Sequence, residues 1–268
     1  MDAFQLRFLG TGAADWPMKP EGEERYDRSG RIRRPSSLLV NGRCLIDPAP
    51  ESWFYARRVL GIELCGLRAI FLTHSHGDHF SHRALRGFLK GADRKVRLYC
   101  HESALRWLKL TDWEVERLEI HTVRCGEWVR EADMRVQVLE ANHEVAHARV
   151  PEEERERPVH YLFERKGKRF FYGCDGGWFL AHTWSLLRKK ELDLAVLDAT
   201  VGRIRGDFRI ASHNTLDMIE LFLVSMQECQ VLKRDGQVVL SHLARTLHED
   251  GEDCRDWTVA YDGMELQL

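Results

Sequence analysis

Apolar residues along this chain fall into short runs with two different periodicities. Alternating or wholly apolar runs bounded by Gly, Pro, Asn or Asp are typical of β-strands. They predict strands at 4–9, 37–40, 43–46, 67–72, 96–99, 119–123, 128–129, 135–139, 159–164, 169–174, 192–197, 237–240, 258–261 and 264–266. Segments with apolar positions three and four residues apart predict helices at 51–60, 82–89, 101–110, 178–190 and 214–226, the last capped by Asn214.

The order of these elements predicts an α+β fold in which two β-sheets pack together with helices outside. Asn41-Gly42, Lys166-Gly167 and Asp262-Gly263 each predict a hairpin turn. No linker or repeat divides the chain, so we expect a single domain over 1–268 with loop insertions near 15–35 and 148–158. The first is long enough to be a binding loop, and the second is so charged that an exposed insertion is expected.

Composition narrows the class of protein. The 42 acidic residues nearly balance the 40 basic ones, so no overall field favours nucleic acid or a membrane surface. The seven cysteines are scattered without a Cys-x-x-Cys pair, which indicates a reducing compartment rather than a disulfide framework. Neither a secretory signal nor an apolar run of about 18 residues is visible. These observations predict a cytoplasmic protein.

The segment Thr73-His74-Ser75-His76-Gly77-Asp78-His79 carries the clearest chemical signal. It places three histidines and an aspartate directly after the apolar run 69–72. A buried strand that ends in such a loop directs imidazole and carboxylate groups into the space beyond the strand. These groups are ligands for zinc, manganese or iron. The segment therefore predicts a metal site.

Further candidate groups follow other predicted strands. They are Asp47, His143, Asp175, Asp198 with His213, and His242. Side chains at strand ends on one rim of a sheet lie close in space, which is where a site built from loops is expected. His147 competes with His143, which is preferred because it follows its strand directly. The remaining histidines are interpreted as structural or solvated, namely His82, His101, His121, His160, His182 and His248.

The order of these residues resembles the five-part metal signature of the metallo-β-lactamase superfamily, across nearly the whole chain. The resemblance implies an αββα four-layer sandwich with two metal ions at its rim. One ion would be held by His74, His76 and His143, and the other by Asp78, His79 and His242. Asp175 would bridge both ions, and Asp47 would orient a ligand histidine through its second ring nitrogen. Gly176 and Gly177 would let the backbone turn beside the ions.

A second resemblance concerns the branch of the superfamily. Asp198 and His213 resemble the Asp and His pair of the cyclic phosphodiesterases of phosphonate metabolism and of the transfer-RNA 3′-processing nucleases. The resemblance implies catalytic roles for both residues, with Asp78 at the metals; the alternative is that 212–214 only caps a helix. The chain lacks the N-terminal cysteines of the former family and the long substrate arm of the latter. A small phosphodiester is therefore expected rather than a folded nucleic acid.

The sequence thus predicts a phosphodiesterase that uses two divalent ions, zinc or manganese or else iron. A shared hydroxide would attack phosphorus while His213 assists the leaving group. Three basic residues before His213 would dock a phosphate or else form a solvated loop, namely Arg203, Arg205 and Arg209. A thioester or lactone hydrolase, a non-catalytic metal-binding accessory protein and a di-iron protein remain alternatives. The oligomeric state stays open, a homodimer included.

Overall fold

Two seven-stranded β-sheets form the centre of the protein in the computed structural model, which describes residues 2–16, 32–145, 150–248, 254 and 256–268. The strands are β1 Gln5–Gly10, β2 Ser37–Val40, β3 Cys44–Ile46, β4 Ala69–Phe71, β5 Val96–His101, β6 Leu118–Val123, β7 Trp128–Glu131, β8 Met134–Glu140, β9 Val159–Arg165, β10 Lys168–Gly173, β11 Leu192–Asp198, β12 Leu232–Ser241, β13 Thr258–Val259 and β14 Glu265–Gln267. The helices are α1 Ser52–Phe54, continued by a π-helical turn Tyr55–Val59, then α2 His82–Gly91, α3 Glu102–Leu108, α4 Asp112–Arg117, α5 Ala181–Leu187 and α6 Leu216–Glu228.

Each sheet combines antiparallel and parallel pairing. The first has the order β14-β1-β2-β3-β4-β5-β6 and the second β13-β12-β11-β10-β9-β8-β7. Strands β3 to β6 are parallel in the first sheet, as are β10 to β13 in the second. Because the ends of parallel strands meet at one edge, the residues that follow β3, β4, β10, β11 and β12 are candidates for a common site.

Three buried apolar layers hold the sheets and helices together. The alternation of strand side chains divides them, as β4 illustrates: Phe71 joins the core between the sheets, whereas Ile70 faces the layer under α2 with Phe88. A third layer packs α5 and α6 on the second sheet, with Phe222 among its buried residues. The predicted αββα four-layer sandwich is therefore confirmed.

The local turn chemistry follows the sequence in two of the three predicted hairpins. Asn41 and Gly42 both have positive φ angles, of 53° and 62°, and join antiparallel β2 and β3. Lys166 and Gly167 do the same between β9 and β10, with φ of 49° and 76°. Two consecutive left-handed residues give the turn whose twist matches that of paired strands.

The third hairpin prediction is wrong. The last two strands do not pair with each other, because β13 adds to β12 in the second sheet and β14 adds to β1 in the first. The segment around Asp262 thus crosses between sheets, and its carboxylate accepts hydrogen bonds from Thr11 and Arg34.

The predictions for the helices differ from the structure at two places. The prediction that Asn214 caps α6 is wrong, since the cap is Thr215. Helix α4 was not predicted. No helix among the described residues is long and apolar enough to cross a membrane.

Candidate metal centre

The predicted ligands converge on one rim of the sandwich. Asp47 follows β3, His74 lies three residues after β4, Asp175 two residues after β10, and His242 directly after β12. Strand β8 runs in the same direction as β10 because both are antiparallel to β9, and this brings His143 to the same rim. The parallel order of the strands thus places at one edge residues that lie far apart in sequence.

Asp175 lies at the centre of this cluster. Five ring nitrogens surround its carboxylate, those of His74, His79, His143, His213 and His242, at distances of 3.1 to 3.7 Å. Its buried Oδ1 atom lies 3.2 Å from Nδ1 of His143 and of His213, but the geometry gives it no hydrogen bond from any residue that the structure describes. Because an unsatisfied buried oxygen is costly, this atom favours a bound cation.

The ligand-type atoms fall into groups that fit a divalent ion. The atoms of each group lie within 4.8 Å of one another, and the groups are His74 with His76, His143 and Asp175; Asp78 with His79, Asp175 and His242; and Asp175 with Asp198, His213 and His242. The first two groups share Asp175 and contain the same residues as the two sets that the family resemblance implied. Imidazole and carboxylate donors in these numbers suit zinc or manganese, with iron also compatible. The described residues therefore fit divalent metal ions, and the number of ions and the assignment of each ligand stay predictions.

Asp47 lies behind the cluster, against the ring of His79. Its Oδ2 atom is 2.8 Å from Nδ1 of His79 and also accepts a hydrogen bond from the Thr73 hydroxyl. Its Oδ1 atom accepts a hydrogen bond from the Thr73 backbone N–H. Because Asp47 contacts Nδ1, the Nε2 atom of His79 faces Asp175 and His242, at 3.1 and 3.2 Å. Asp47 therefore fixes the direction in which His79 presents its outer nitrogen.

Asp198 contacts two histidines rather than one. Its Oδ2 atom lies 3.1 Å from Nδ1 of His213 and 3.3 Å from Nδ1 of His242. The Thr200 hydroxyl lies 2.9 Å from the same oxygen and 2.8 Å from Nδ1 of His242. Asn214 donates its backbone N–H to Oδ1 of Asp198. No role for Thr200 was predicted from the sequence, although Thr200 lies only two residues after Asp198.

Three residues of the rim have left-handed backbone conformations. Asp47, Asp175 and His242 have φ angles of 57°, 59° and 58°. Such conformations cost about 1–3 kcal/mol each and concentrate at functional sites. The expectation that Gly176 and Gly177 would provide the turn is wrong, because Asp175 makes it. A Cβ atom on Gly176 would lie 2.7 Å from Nε2 of His160, and one on Gly177 would lie 3.1 Å from the His213 backbone N, so these glycines provide space.

Burial and charge move the pKa values of the site residues in different directions. Burial lowers the pKa of His74 well below its usual value and that of His76 to about 4, which favours the neutral form that binds metals. Burial also opposes protonation of His242, but the carboxylates of Asp175 and Asp198 raise its pKa to about 10. Burial would raise the pKa of Asp175, yet charges on His143 and His242 hold it well below the usual range. The carboxylates thus strongly favour positive charge beside them.

Glu156 anchors the histidine loop, residues 73–79, and this contact was not predicted from the sequence. Its carboxylate accepts a hydrogen bond of 2.7 Å from the Ser75 backbone N–H and another from the Ser75 hydroxyl. Only 5% of Glu156 is exposed, so the interpretation of 148–158 as an exposed insertion is wrong at this residue. Because Ser75 lies between two predicted ligands, Glu156 holds the backbone that positions both.

The other predicted residues have varied surroundings. His147 and most of the 15–35 loop lie outside the described residues, as does part of 148–158. His160 is buried against Phe171, in agreement with a structural role. The three arginines before His213 all contact carboxylates: Arg203 contacts Asp217 and Glu220, Arg205 contacts Asp217, and Arg209 contacts Asp207. This segment is therefore not a surface of unpaired positive charge.

Comparison with known proteins gives one family and several similar folds. The model of the beta-lactamase superfamily domain matches residues 42–242. No curated protein matches the sequence. A diphosphatase of the PhnP family aligns with 24% identity and a TM-score of 0.71, covering 99% of this chain and 97% of that one.

Two further solved structures are similar over nearly their full lengths. Zinc-bound PqqB from Methylobacterium extorquens has 18% identity and a TM-score of 0.69, with 98% of this chain and 100% of that one covered. The short form of human tRNase Z has 19% identity and a TM-score of 0.64, with 98% of each chain covered. At these identities the likeness establishes the fold.

Proposed function

The chain belongs to the beta-lactamase superfamily domain family, and from this premise we propose that it is a dinuclear metal-dependent hydrolase of a small phosphodiester or nucleotide. The observation that carries the proposal is the position of His213. Its Nδ1 atom lies 3.1 Å from Asp198 and 3.2 Å from Asp175. The His213 side chain is 13% exposed, against 2% for Asp175 and 0% for Asp198. A substrate that approaches Asp175 from solvent would therefore meet His213.

The proposed ligands divide into two sets around Asp175. One set is His74, His76 and His143, and the other is Asp78, His79 and His242. When bound, two divalent ions supply a water of lowered pKa and offset negative charge on the phosphoryl oxygens. Asp47 and Asp198 contribute by orienting the rings of His79 and His242.

His213 has the arrangement of a general acid. With Nδ1 directed at Asp198, its Nε2 atom is the ring nitrogen that would deliver a proton to the leaving oxygen. The PhnP-family diphosphatase and tRNase Z are named for activity on diphosphates and transfer RNA, which supports chemistry at phosphorus. Pairing of the arginines before His213 favours a small substrate over a folded nucleic acid, because binding a phosphate backbone requires unpaired cationic groups.

The experiment combines metal analysis with kinetics. Protein loaded with Mn²⁺ or Zn²⁺ is assayed with bis(para-nitrophenyl) phosphate and with cyclic nucleotides. We expect His213→Ala to lower kcat by about 10²–10⁴-fold while two ions remain bound. His182→Ala, at an exposed position of α5, is the control.

Other outcomes would contradict the proposal. Hydrolysis of acyl-glutathione or lactones that survives His213→Ala would indicate a thioester or lactone hydrolase. Bound metal without turnover of any ester, together with a stably bound protein, would indicate an accessory protein. Loss of one ion in His213→Ala would make His213 a ligand, in keeping with the third group of ligand-type atoms.

A further inference from the structure

We infer that Trp178 and Phe208 form an aromatic rim that stacks on a planar ring of the substrate, which makes this substrate a nucleotide ester rather than an aliphatic phosphodiester. The inference rests on the proposed function and specifies its substrate class. Both side chains are unusually exposed for aromatic residues, at 46% and 83%. Phe208 belongs to the turn that precedes His213, and Gly177, the neighbour of Trp178, lies against the backbone of Ser212 and His213.

Phe208 begins the short helical turn Phe208–Ala211, which leads directly into His213. The backbone N–H of His213 donates a 2.9 Å hydrogen bond to the carbonyl of Arg209, so the turn and the proposed acid form one rigid piece. The guanidinium carbon of Arg209 lies 5.5 Å from the centroid of the Phe208 ring, but 83% of this residue remains exposed to water. Burial of a large apolar side chain is favourable, and a planar ligand that covers the exposed ring would gain this free energy on binding.

Trp178 approaches the same segment from another strand end. It follows Gly177, where an added Cβ atom would lie 3.1 Å from the backbone of Ser212 and of His213. The Gly177 N–H also donates to the carbonyl of Asn142, the neighbour of His143. One side of the indole packs edge-on against Phe222 at 5.4 Å between centroids, which leaves the rest of the ring held in place and partly exposed.

The charges beside the aromatic rim favour a neutral planar ring over another anion. Arg209 makes a bidentate contact with Asp207, with both distances 2.8 Å, so its charge is compensated. The phosphoryl group of a nucleotide ester would lie at the Asp175 cluster, and its base would extend toward the rim. Stacking of a base on an aromatic side chain tolerates every base and changes affinity by on the order of tenfold or more.

Two matched substrates test the inference. Thymidine 5′-(para-nitrophenyl phosphate) and methyl para-nitrophenyl phosphate share a leaving group and differ in the nucleoside. We expect the metal-loaded protein to prefer the thymidine ester in kcat/KM by on the order of tenfold or more, and Phe208→Ala to remove most of this preference. Phe208→Leu retains apolar area without the ring and should behave like Phe208→Ala. Leu221→Ala, an exposed apolar position on α6, should change neither rate.

A binding measurement separates failure of the inference from failure of the proposed function. Calorimetry compares thymidine 5′-monophosphate with ribose 5-phosphate, which lacks a base, on wild type and Phe208→Ala. If wild type binds the nucleotide more tightly than ribose 5-phosphate and Phe208→Ala abolishes this difference, stacking on the aromatic rim is supported even if neither ester is hydrolysed. Equal rates for the two esters, or a preference that Phe208→Ala leaves intact, would overturn it while the proposed hydrolase stands.

Discussion

The carboxylate of Asp47 and the ring of His79 meet in the interior, where Oδ2 lies 2.8 Å from Nδ1 and neither side chain is exposed. The carboxylate of Asp47 reaches no other histidine within hydrogen-bond distance in the part of the chain that the structure describes, and its other hydrogen bonds are accepted from Thr73. The pair therefore acts as one unit in which Asp47 sets the direction of a proposed metal ligand.

Asp47→Asn tests this unit. An amide NH₂ group facing Nδ1 would favour the opposite tautomer of His79, so we expect metal affinity to fall about 10–100-fold. Competition with a chromophoric chelator measures the change. Asp193→Asn, a buried aspartate in the middle of contacts with Lys168 and Lys233, is the control and should leave metal affinity unchanged. Equal affinities for wild type and Asp47→Asn would show that Asp47 does not orient a ligand.

Glu156→Ala tests whether the anchor of the histidine loop matters for the site. Loss of both hydrogen bonds to Ser75 would loosen the backbone between His74 and His76, and we expect metal affinity to fall by about tenfold. Elemental analysis after dialysis against a metal buffer gives the result. Glu152→Ala, an exposed position in the same segment, should retain full occupancy. If Glu156→Ala does so as well, the contact serves only the fold.

Metal removal should lower thermal stability. At a free metal concentration 100 times its Kd, binding to the folded state alone adds about 2.7 kcal/mol. For a chain of this size that corresponds to roughly 5–10 °C in Tm. Differential scanning fluorimetry of chelated and Mn²⁺- or Zn²⁺-loaded protein measures the difference. We expect Asp175→Asn to show almost no gain from metal, and a full gain in that variant would contradict the bridging role.

Acid stability should depend on Asp193, far from the proposed metals. Burial would raise its pKa, but hydrogen bonds from Lys233 and Lys168 lower it below the usual value. A lowered pKa in the folded state stabilises above the unfolded pKa of about 3.9, and this stability is lost as the pH falls through the folded value. We expect Asp193→Asn to cost about 1–2 kcal/mol at pH 7 and progressively less below pH 4. Urea unfolding of wild type and Asp193→Asn at pH 7 and below pH 4 measures the difference in unfolding free energy. The same difference under both conditions would contradict the prediction.

The local pattern of apolar residues predicted most strands, because each strand has apolar side chains on one face, at every second residue, or on both faces. It could not predict that β13 and β14 lie in different sheets, since their apolar residues fit either partner. The pairing depends on β12 and β1, which lie elsewhere in the chain. Helix α4 was missed for a related reason, because its cap, Thr111 with Glu114, is stabilised further by His82 and Arg86 on α2.

The sequence by itself determined which donor groups meet at the rim. Histidine and aspartate carry their ligand chemistry in the side chain, and their places after apolar runs put them at strand ends. Only the tertiary structure decided how those groups are held. Glu156 contacts Ser75 across 81 residues, and Asp198 serves His242 as well as His213. Such contacts require segments distant in sequence to fold side by side, and the left-handed backbone at Asp47, Asp175 and His242 is maintained by the packing around it.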